Sequence, residues 1–144
     1  MDALDLKIIG ILKQNSRTTS SEISRQINLS IPAVAERIRK LEEARVIERY
    51  TLKLKRSGFG LNLLAFILVN VDPAKKSEPF RALVEKEDRV LECHHVAGEY
   101  DFLLKVAARD TEELEQLISN RLKKTAGVTR TNTIVVLTTA KEGL

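Results

Sequence analysis

The spacing of the apolar residues changes near residue 47, and this change constrains the fold more than any other feature of the sequence. Before it, apolar residues recur every three or four positions, which is the period of an amphipathic helix. After it, apolar runs are short and either alternate with polar residues or continue unbroken, as in strands. The 144-residue chain is therefore predicted to have a helical N-terminal part and a mixed C-terminal part.

The N-terminal part is predicted to contain three helices. The first ends near Asn15, and a polar stretch, residues 16–21, leads into a short second helix that Asn28 interrupts. Asparagine tolerates the left-handed backbone conformation, so Asn28 can end a helix in a sharp turn. Ser30 is a good N-cap for the third helix. The apolar face of that helix carries Val34, Ile38 and Leu41.

The C-terminal part is predicted to follow the order strand, helix, strand, strand, helix, strand. One of its helices contains Phe80, and the other is capped by Asp110 or Thr111. Its strands cover residues 63–71, 90–96, 102–106 and 129–137. This βαββαβ order implies a ferredoxin-like, four-stranded antiparallel sheet with both helices on one face. The predicted fold class is therefore α+β. A winged helix-turn-helix domain precedes the domain that contains the sheet.

A separate segment joins the two parts. Tyr50, Leu52 and Leu54 alternate with basic and polar residues, which predicts a strand with one basic edge, and residues 56–60 resemble a loop. We therefore divide the chain into a helix-turn-helix domain, a strand with its linker, and a βαββαβ domain, at residues 1–50, 51–62 and 63–144.

Three predicted strands are apolar on both faces, which bears on assembly. Residues 63–69, 102–104 and 134–137 hold unbroken apolar runs, whereas a sheet with one wet face should alternate. The two helices cover only one face. A second copy of the same sheet is the simplest cover for the other, which predicts a homodimer.

Charge and composition limit the classes of function. Residues 1–60 hold 12 basic and 7 acidic side chains, a net charge of +5, and the remainder carries −1. The basic part is the candidate for a polyanionic partner. No apolar run is long enough to span a bilayer, and the acidic start does not resemble a signal peptide. The single Cys93 fits a reducing cytoplasm, where we expect the protein to be.

A short helix, a tight turn and a longer helix with a basic outer face form the layout of a DNA-binding helix-turn-helix. In that motif the second helix enters the major groove by its N-terminal half. Arg37 is expected to reach guanine or phosphate, and Arg39 and Lys40 to reach phosphate. The alternative is a helical hairpin with solvated charges. The candidate residues for contact with double-stranded DNA are Ser20, Ser21, Ser30, Pro32, Ala33, Glu36, Arg37, Arg39 and Lys40.

Two further motifs invite a chemical interpretation. Cys93-His94-His95 lies on a strand, where neighbours point to opposite faces, so the three cannot converge on one metal ion and no metal site is predicted. The turn Gly98-Glu99-Tyr100-Asp101 is either a plain hairpin or a ligand site whose carboxylate meets an ammonium group. Enzyme signatures are absent, so we predict no catalytic residues and no enzyme.

The residues assembled above resemble the Lrp/AsnC family, the leucine-responsive or feast/famine transcription regulators of bacteria and archaea. The resemblance covers nearly the whole chain. It rests on the order and spacing of Leu4–Ile9, Leu29-Ser30, Glu36–Glu42, Val46-Ile47, Tyr50-Thr51, Val90–Cys93, Val96–Val106 and Gly127–Thr133.

This resemblance implies properties that periodicity does not show. Family members dimerise through the βαββαβ domain, which is called the RAM domain, and often assemble into octamers. Many bind an amino acid between dimers near the glycine-containing turn, and no other cofactor is implied. Carried over to this chain, the effector residues are Val96, Ala97, Gly98, Glu99, Tyr100 and Asp101.

The chain also departs from the family pattern. The family often has glycine at the positions of Asn28, Arg45 and Arg49, and proline at Ile31. Three functions stay open at this point. The first is an effector-responsive transcription regulator, the second an architectural protein that bends DNA with little ligand control. The third is a ligand-binding module or small metabolic enzyme without a DNA role, against which the basic helix-turn-helix argues.

Overall fold

The computed structural model describes residues 1–75 and 77–142. These residues form two compact units, an N-terminal unit, Met1–Lys53, and a C-terminal unit, Leu54–Glu142. None of the helices in the described residues is long and apolar enough to cross a membrane.

Three helices make up the N-terminal unit: α1 (Ala3–Gln14), α2 (Ser20–Ile27) and α3 (Ile31–Glu43). Each begins at a side chain that accepts hydrogen bonds from the free N–H groups of the first turn. Those N-caps are Asp2, Thr19 and Ser30. Each helix also contributes one fully buried side chain to the core of the unit, Ile8, Ile23 and Val34.

The turn between α2 and α3 has the geometry that the sequence predicted. Asn28 has φ 56° and ψ 49°, the left-handed conformation, and its N–H donates to the carbonyl oxygen of Ser24. The Ser24 hydroxyl donates to the carbonyl oxygen of Leu29 at 2.6 Å, which closes the turn from the other side. The turn therefore fixes the direction in which α3 leaves α2.

The C-terminal unit has the predicted βαββαβ order. Its strands are β1 (Leu63–Val71), β2 (Val90–His95), β3 (Phe102–Ala108) and β4 (Val128–Val135), in the antiparallel order β2-β3-β1-β4. Its helices are α4 (Glu78–Lys86) and α5 (Thr111–Gln116), the second of which continues as a π-helix over Leu117–Leu122. The α+β fold class is confirmed.

One face of this sheet forms the larger core. Ile67 of β1 lies opposite Leu104 of β3, and both are fully buried together with Phe80 of α4 and Leu117 of the π-helical segment. The Phe80 and Phe102 rings lie 4.8 Å apart between centroids. The helices thus cover this face, while Phe66 and Leu68 on the opposite face remain partly exposed.

Residues 48–55 do not form the predicted strand, and a short 3₁₀ helix, Arg56–Phe59, follows them. A strand needs a neighbouring strand to bind its N–H and C=O groups, and the described residues of one chain provide none here. Alternation of apolar and polar residues predicted an extended segment but not its partner. The last strand is also shorter than predicted, since β4 ends at Val135 rather than Leu137.

Candidate functional site

The N-terminal end of α3 is exposed and carries several of the residues predicted to contact DNA. Ser30, Ile31 and Pro32 are all exposed, and the Ser30 hydroxyl accepts a hydrogen bond from the Ala33 N–H at 3.3 Å. Proline costs nothing there because the first N–H groups of a helix have no partner within it. This end therefore presents a helix N-terminus, which is favourable for a negatively charged group.

Arg37 is held against α1 rather than being free on the outer face of α3. Its Nη1 lies 2.8 Å from Asp2 Oδ2 and 2.7 Å from Asp5 Oδ1, and its side chain is 29% exposed. Helix α3 is thus tied to the beginning of α1 by an ion pair between residues far apart in sequence. No local pattern signals such a pair, so the sequence analysis missed it.

The other basic residues of α3 are also paired. The Arg39 guanidinium binds both carboxylate oxygens of Glu36 at 2.7 and 2.8 Å and makes a further contact with Glu43. Lys40 Nζ lies 3.7 Å from Glu36 Oε1. The hydrogen bond from Arg39 lowers the pKa of Glu36 below its ordinary value. Because exposed ion pairs of this kind contribute little to stability, phosphates can replace the carboxylates as partners of Arg39 and Lys40.

Ser20 and Ser21 lie in the first turn of α2, directly after the cap Thr19, and both are partly buried. The carbonyl oxygen of Ser21 accepts a hydrogen bond from Arg25 Nε at 3.4 Å. The cap itself is Thr19, whose backbone N–H donates to Glu22 Oε2 at 2.7 Å. The two serines therefore belong to a second helix N-terminus of the unit.

The turn between β2 and β3 is anchored by Asp101. Its Oδ2 accepts a hydrogen bond from the Val71 N–H at 2.8 Å, and its own N–H donates to the carbonyl oxygen of Val69 at 3.1 Å. The carbonyl oxygen of Asp101 accepts from the Val96 N–H at 2.9 Å, which closes the turn. Within the turn, Gly98 has φ 154°, an angle that side chains of L-residues disfavour. The turn is thus fixed at both ends, next to the end of β1.

Polar and aromatic groups surround the outer side of this turn. Arg130 Nη1 lies 2.8 Å from Glu99 Oε1, and its guanidinium lies 5.0 Å from the centroid of the Tyr100 ring. Asn70 Nδ2 donates to the carbonyl oxygen of Glu99 at 3.1 Å. The other amide atom, Asn70 Oδ1, is buried and accepts no hydrogen bond from the described residues.

A cavity of about 420 Å³ opens beside Asp101, between the end of β1, the start of α4 and the β2–β3 turn. Of the six predicted effector residues, only Asp101 lines it. Charged groups of both signs surround the space, which suits a ligand with both an acidic and a basic group. The lining residues with titratable side chains are Asp72, Lys75, Glu78, Arg81, His95 and Asp101.

Sequence reasoning missed Glu78 and Arg81 because α4 has the ordinary pattern of an amphipathic helix. Neither residue has an ion-pair partner in the part of the chain that the structure describes. Only the fold brings them to the same cavity as Asp101.

The Cys93-His94-His95 motif lies on β2 at the edge of the sheet. Cys93 and His95 pair with Leu104 and Phe102 of the helix-covered face, whereas His94 points the other way and lies 3.1 Å from Glu92. Burial raises the pKa of the Cys93 thiol, which disfavours the thiolate needed as a metal ligand. Among the described residues, no three His, Cys, Asp or Glu side chains are grouped for a metal ion.

Two family models match the chain, one for each part. The Lrp/AsnC ligand binding domain matches residues 64–144, and a winged helix-turn-helix DNA-binding domain matches residues 1–48. The chain belongs to the Lrp/AsnC family. Its members are helix-turn-helix transcription regulators, so the resemblance drawn from the sequence is confirmed.

Curated relatives agree with this membership along the full length. An uncharacterised HTH-type transcriptional regulator of Pyrococcus abyssi is 36% identical and covers 99% of this chain and 95% of its own. The leucine-responsive regulatory protein of Salmonella typhimurium is 31% identical, over 99% of this chain and 88% of its own. Both relatives are transcription regulators, which agrees with the regulator function expected from the sequence.

Solved structures show the same fold. A transcriptional regulator from Neisseria meningitidis in complex with L-Met has a TM-score of 0.94 at 32% identity, over 99% of this chain and 93% of its own. A feast or famine regulatory protein from M. tuberculosis, complexed with L-methionine, has a TM-score of 0.89 at 31% identity, over 98% and 95%.

The ion pair between Arg37 and α1 predicts a pH-dependent stability. The pKa of Asp5 is lowered from 3.8, first by the backbone N–H of Asp2 and then by Arg37. A carboxyl group whose pKa is lower in the folded than in the unfolded state stabilises the folded state at pH values above its unfolded-state pKa. That stabilisation is lost as the pH falls through its folded-state pKa. We expect Asp5→Asn to lower Tm by about 2–4 °C near neutral pH.

This difference from wild type should shrink as the pH falls below 3.8 toward the lowered pKa values of Asp2 and Asp5 in the folded state. Thermal unfolding between about pH 3 and pH 8 measures it. Asp88→Asn, at an exposed position, is the matched control and should leave Tm nearly unchanged. A Tm difference for Asp5→Asn that stays constant to pH 3 would contradict the role of the ion pair.

Proposed function

We propose that this family member binds DNA through α3 and alters that binding when an amino acid occupies the C-terminal unit. The observation that carries the proposal is the exposed N-terminal end of α3, in a unit that matches a DNA-binding family model. A regulator of chromosomal DNA works in the cytoplasm, and the lone Cys93 fits that reducing compartment.

The proposed DNA interface uses the predicted residues in different roles. Ser30, Pro32 and Ala33 bring the helix N-terminus to the groove, and Glu36 lies one turn further along the helix. Arg39 and Lys40 exchange their carboxylate partners for phosphates. Arg37 acts chiefly as the link between α3 and α1. Ser20 and Ser21 place the start of α2 beside the DNA backbone, as the crossing helix of the motif does.

The proposed effector site combines the turn from Val96 to Asp101 with the adjacent cavity. Two relatives are known in complexes with L-methionine, which has a carboxylate and an ammonium group. The cavity offers partners for both, Arg81 for the carboxylate and Glu78 or the free oxygen of Asp101 for the ammonium. Ala97, Gly98, Glu99 and Tyr100 then form the wall that a neighbouring dimer meets.

The proposed assembly is a homodimer that joins into an octamer. The sheet face without helices in the described structure carries Phe66, Leu68 and Leu103, all partly exposed, and Ile134, which is 51% exposed. A second copy of this face would remove their apolar surface from water. Two copies also supply two α3 helices, as half-sites one helical turn apart require.

The first test is a gel shift with DNA from upstream of the protein's own gene, with and without pooled amino acids. We expect a retarded band that is stronger than with a random duplex, and an affinity that the amino acids change by about 5- to 150-fold. Binding that no amino acid changes would favour an architectural role. Failure to bind any duplex would contradict the regulator function.

A further prediction concerns the binding of amino acids at the effector site, which calorimetry with each amino acid measures. Arg81→Gln removes the carboxylate partner, and Asp101→Asn removes a charge while keeping an oxygen for the Val71 N–H. We expect each to weaken binding by roughly 10- to 100-fold, the effect of losing a hydrogen bond to a charged group. Basal DNA binding should persist in both variants.

The matched control for this experiment is Lys86→Gln, which removes one charge from the same helix outside the cavity. Its affinity for the amino acid should equal that of wild type. Unchanged binding by both Arg81→Gln and Asp101→Asn would place the ligand elsewhere.

Another prediction concerns assembly. Light scattering at low micromolar concentration measures the mass of the assembled protein. Wild type should have at least twice the 16.2 kDa mass of one chain. Leu68→Glu, which places a charge on the uncovered face, should shift the mass toward one chain. Ala82→Glu, on the exposed side of α4, should not. A folded wild-type monomer would overturn the proposal.

A further inference from the structure

We propose that Arg45 and Arg49, which follow α3, bind phosphates of the DNA backbone and add positive charge to that of α3, whose own charges balance. The proposal rests on the DNA-binding function above and assigns the sequence-independent part of the affinity to a segment outside the recognition helix. Nothing in the helix-turn-helix pattern identifies these two arginines.

The backbone at Arg45 has a conformation that normally requires glycine. Its φ is 53°, in the left-handed region. The Arg45 N–H donates to the carbonyl oxygen of Glu42 at 2.9 Å, and the Val46 N–H donates to that of Leu41 at 2.9 Å. These two bonds form the Schellman motif that ends a helix, in which the left-handed position is usually glycine.

A side chain at this position is unfavourable for the helix end, because its Cβ crowds the following carbonyl group. Arg45 is exposed and makes no hydrogen bond or ion pair through its side chain within the described part of the chain. No interaction of its guanidinium with those residues therefore offsets the backbone strain. A residue kept in a strained conformation without a structural partner points to a role in binding.

The charge balance of α3 favours such a role. All three basic residues of that helix, Arg37, Arg39 and Lys40, lie against carboxylates. With Glu36, Glu42 and Glu43 included, the helix carries three positive and three negative charges. Affinity for DNA rises with the number of phosphates that cations neutralise, so cations beyond α3 would add to the phosphate contacts of Arg39 and Lys40.

The segment that holds Arg45 and Arg49 is anchored to the end of α3. The carbonyl oxygen of Leu41 accepts hydrogen bonds from the N–H groups of both Val46 and Ile47. Further along, the Tyr50 hydroxyl donates to Glu42 Oε1 at 2.9 Å. Arg49 directly precedes Tyr50, is exposed, and forms no ion pair with the residues that the structure describes. The segment that carries both guanidinium groups is thus hydrogen-bonded to the last turn of α3.

The test uses the full-length protein and two duplexes of equal length, the upstream DNA and a random sequence. Affinity is measured between about 50 and 200 mM salt for wild type, Arg45→Gly, Arg45→Lys and Arg49→Gln. Lys123→Gln, at an exposed position of the C-terminal unit, is the control for a reduced net charge. Thermal unfolding of the same proteins is measured in parallel.

We expect Arg45→Gly and Arg49→Gln to weaken binding equally on both duplexes. The slope of log affinity against log salt should become shallower by about 0.9 for each phosphate that the variant no longer neutralises. Arg45→Lys and Lys123→Gln should keep the wild-type slope. Arg45→Gly should raise Tm by about 2–4 °C, because glycine relieves the strain. Stability and DNA affinity thus change in opposite directions.

Three results would overturn the proposal. Wild-type affinity and slope in both Arg45→Gly and Arg49→Gln would show that neither residue meets phosphate. A weaker affinity confined to the upstream duplex would indicate a base contact instead, and a lower Tm in Arg45→Gly would show that the side chain stabilises the helix end. If wild type itself binds neither duplex, the regulator function fails as well.

Discussion

Burial of the two central strands is the constraint on which the C-terminal unit depends. β1 pairs with both β3 and β4, so it has no free edge, and its residues Ala65, Ile67 and Val69 are fully buried under the helices. The β1–β3 pair in turn brings Asp101 to the last residues of β1, since the two strands are antiparallel. The cavity at that end therefore exists because the core requires this register.

The N-terminal unit is held together by electrostatic as well as apolar interactions. One fully buried side chain from each helix is a small core for a unit that must hold α3 in a fixed direction. The ion pair of Arg37 with Asp2 and Asp5 adds a second connection between α1 and α3. The same connection removes Arg37 from the charges available to a polyanion. Stability and attraction for DNA therefore compete for the same guanidinium.

The parts of the structure that could be predicted from the sequence are those fixed by local interactions. The left-handed turn at Asn28 and the cap at Ser30 depend on neighbours in sequence, and β1 has an apolar run whose length sets its ends. The ion pair of Arg37 and the cavity were missed because their partners are distant in sequence and only the fold brings them together. The prediction of a strand over residues 50–55 was wrong, because alternation of apolar and polar residues indicates an extended backbone without showing which strand pairs with it.

The backbone conformation at Gly98 bears on which chirality of residue this position can accept. A Cβ built on Gly98 meets no atom within 4 Å in one copy of the chain, so space does not exclude a side chain there. The φ angle of 154° disfavours L-residues by their handedness. A D-alanine introduced by chemical synthesis has mirror-image preferences, so this φ angle would not disfavour it, and one copy of the chain leaves space for its Cβ. Within one copy of the chain, glycine therefore suits this position because it is achiral rather than because it is small.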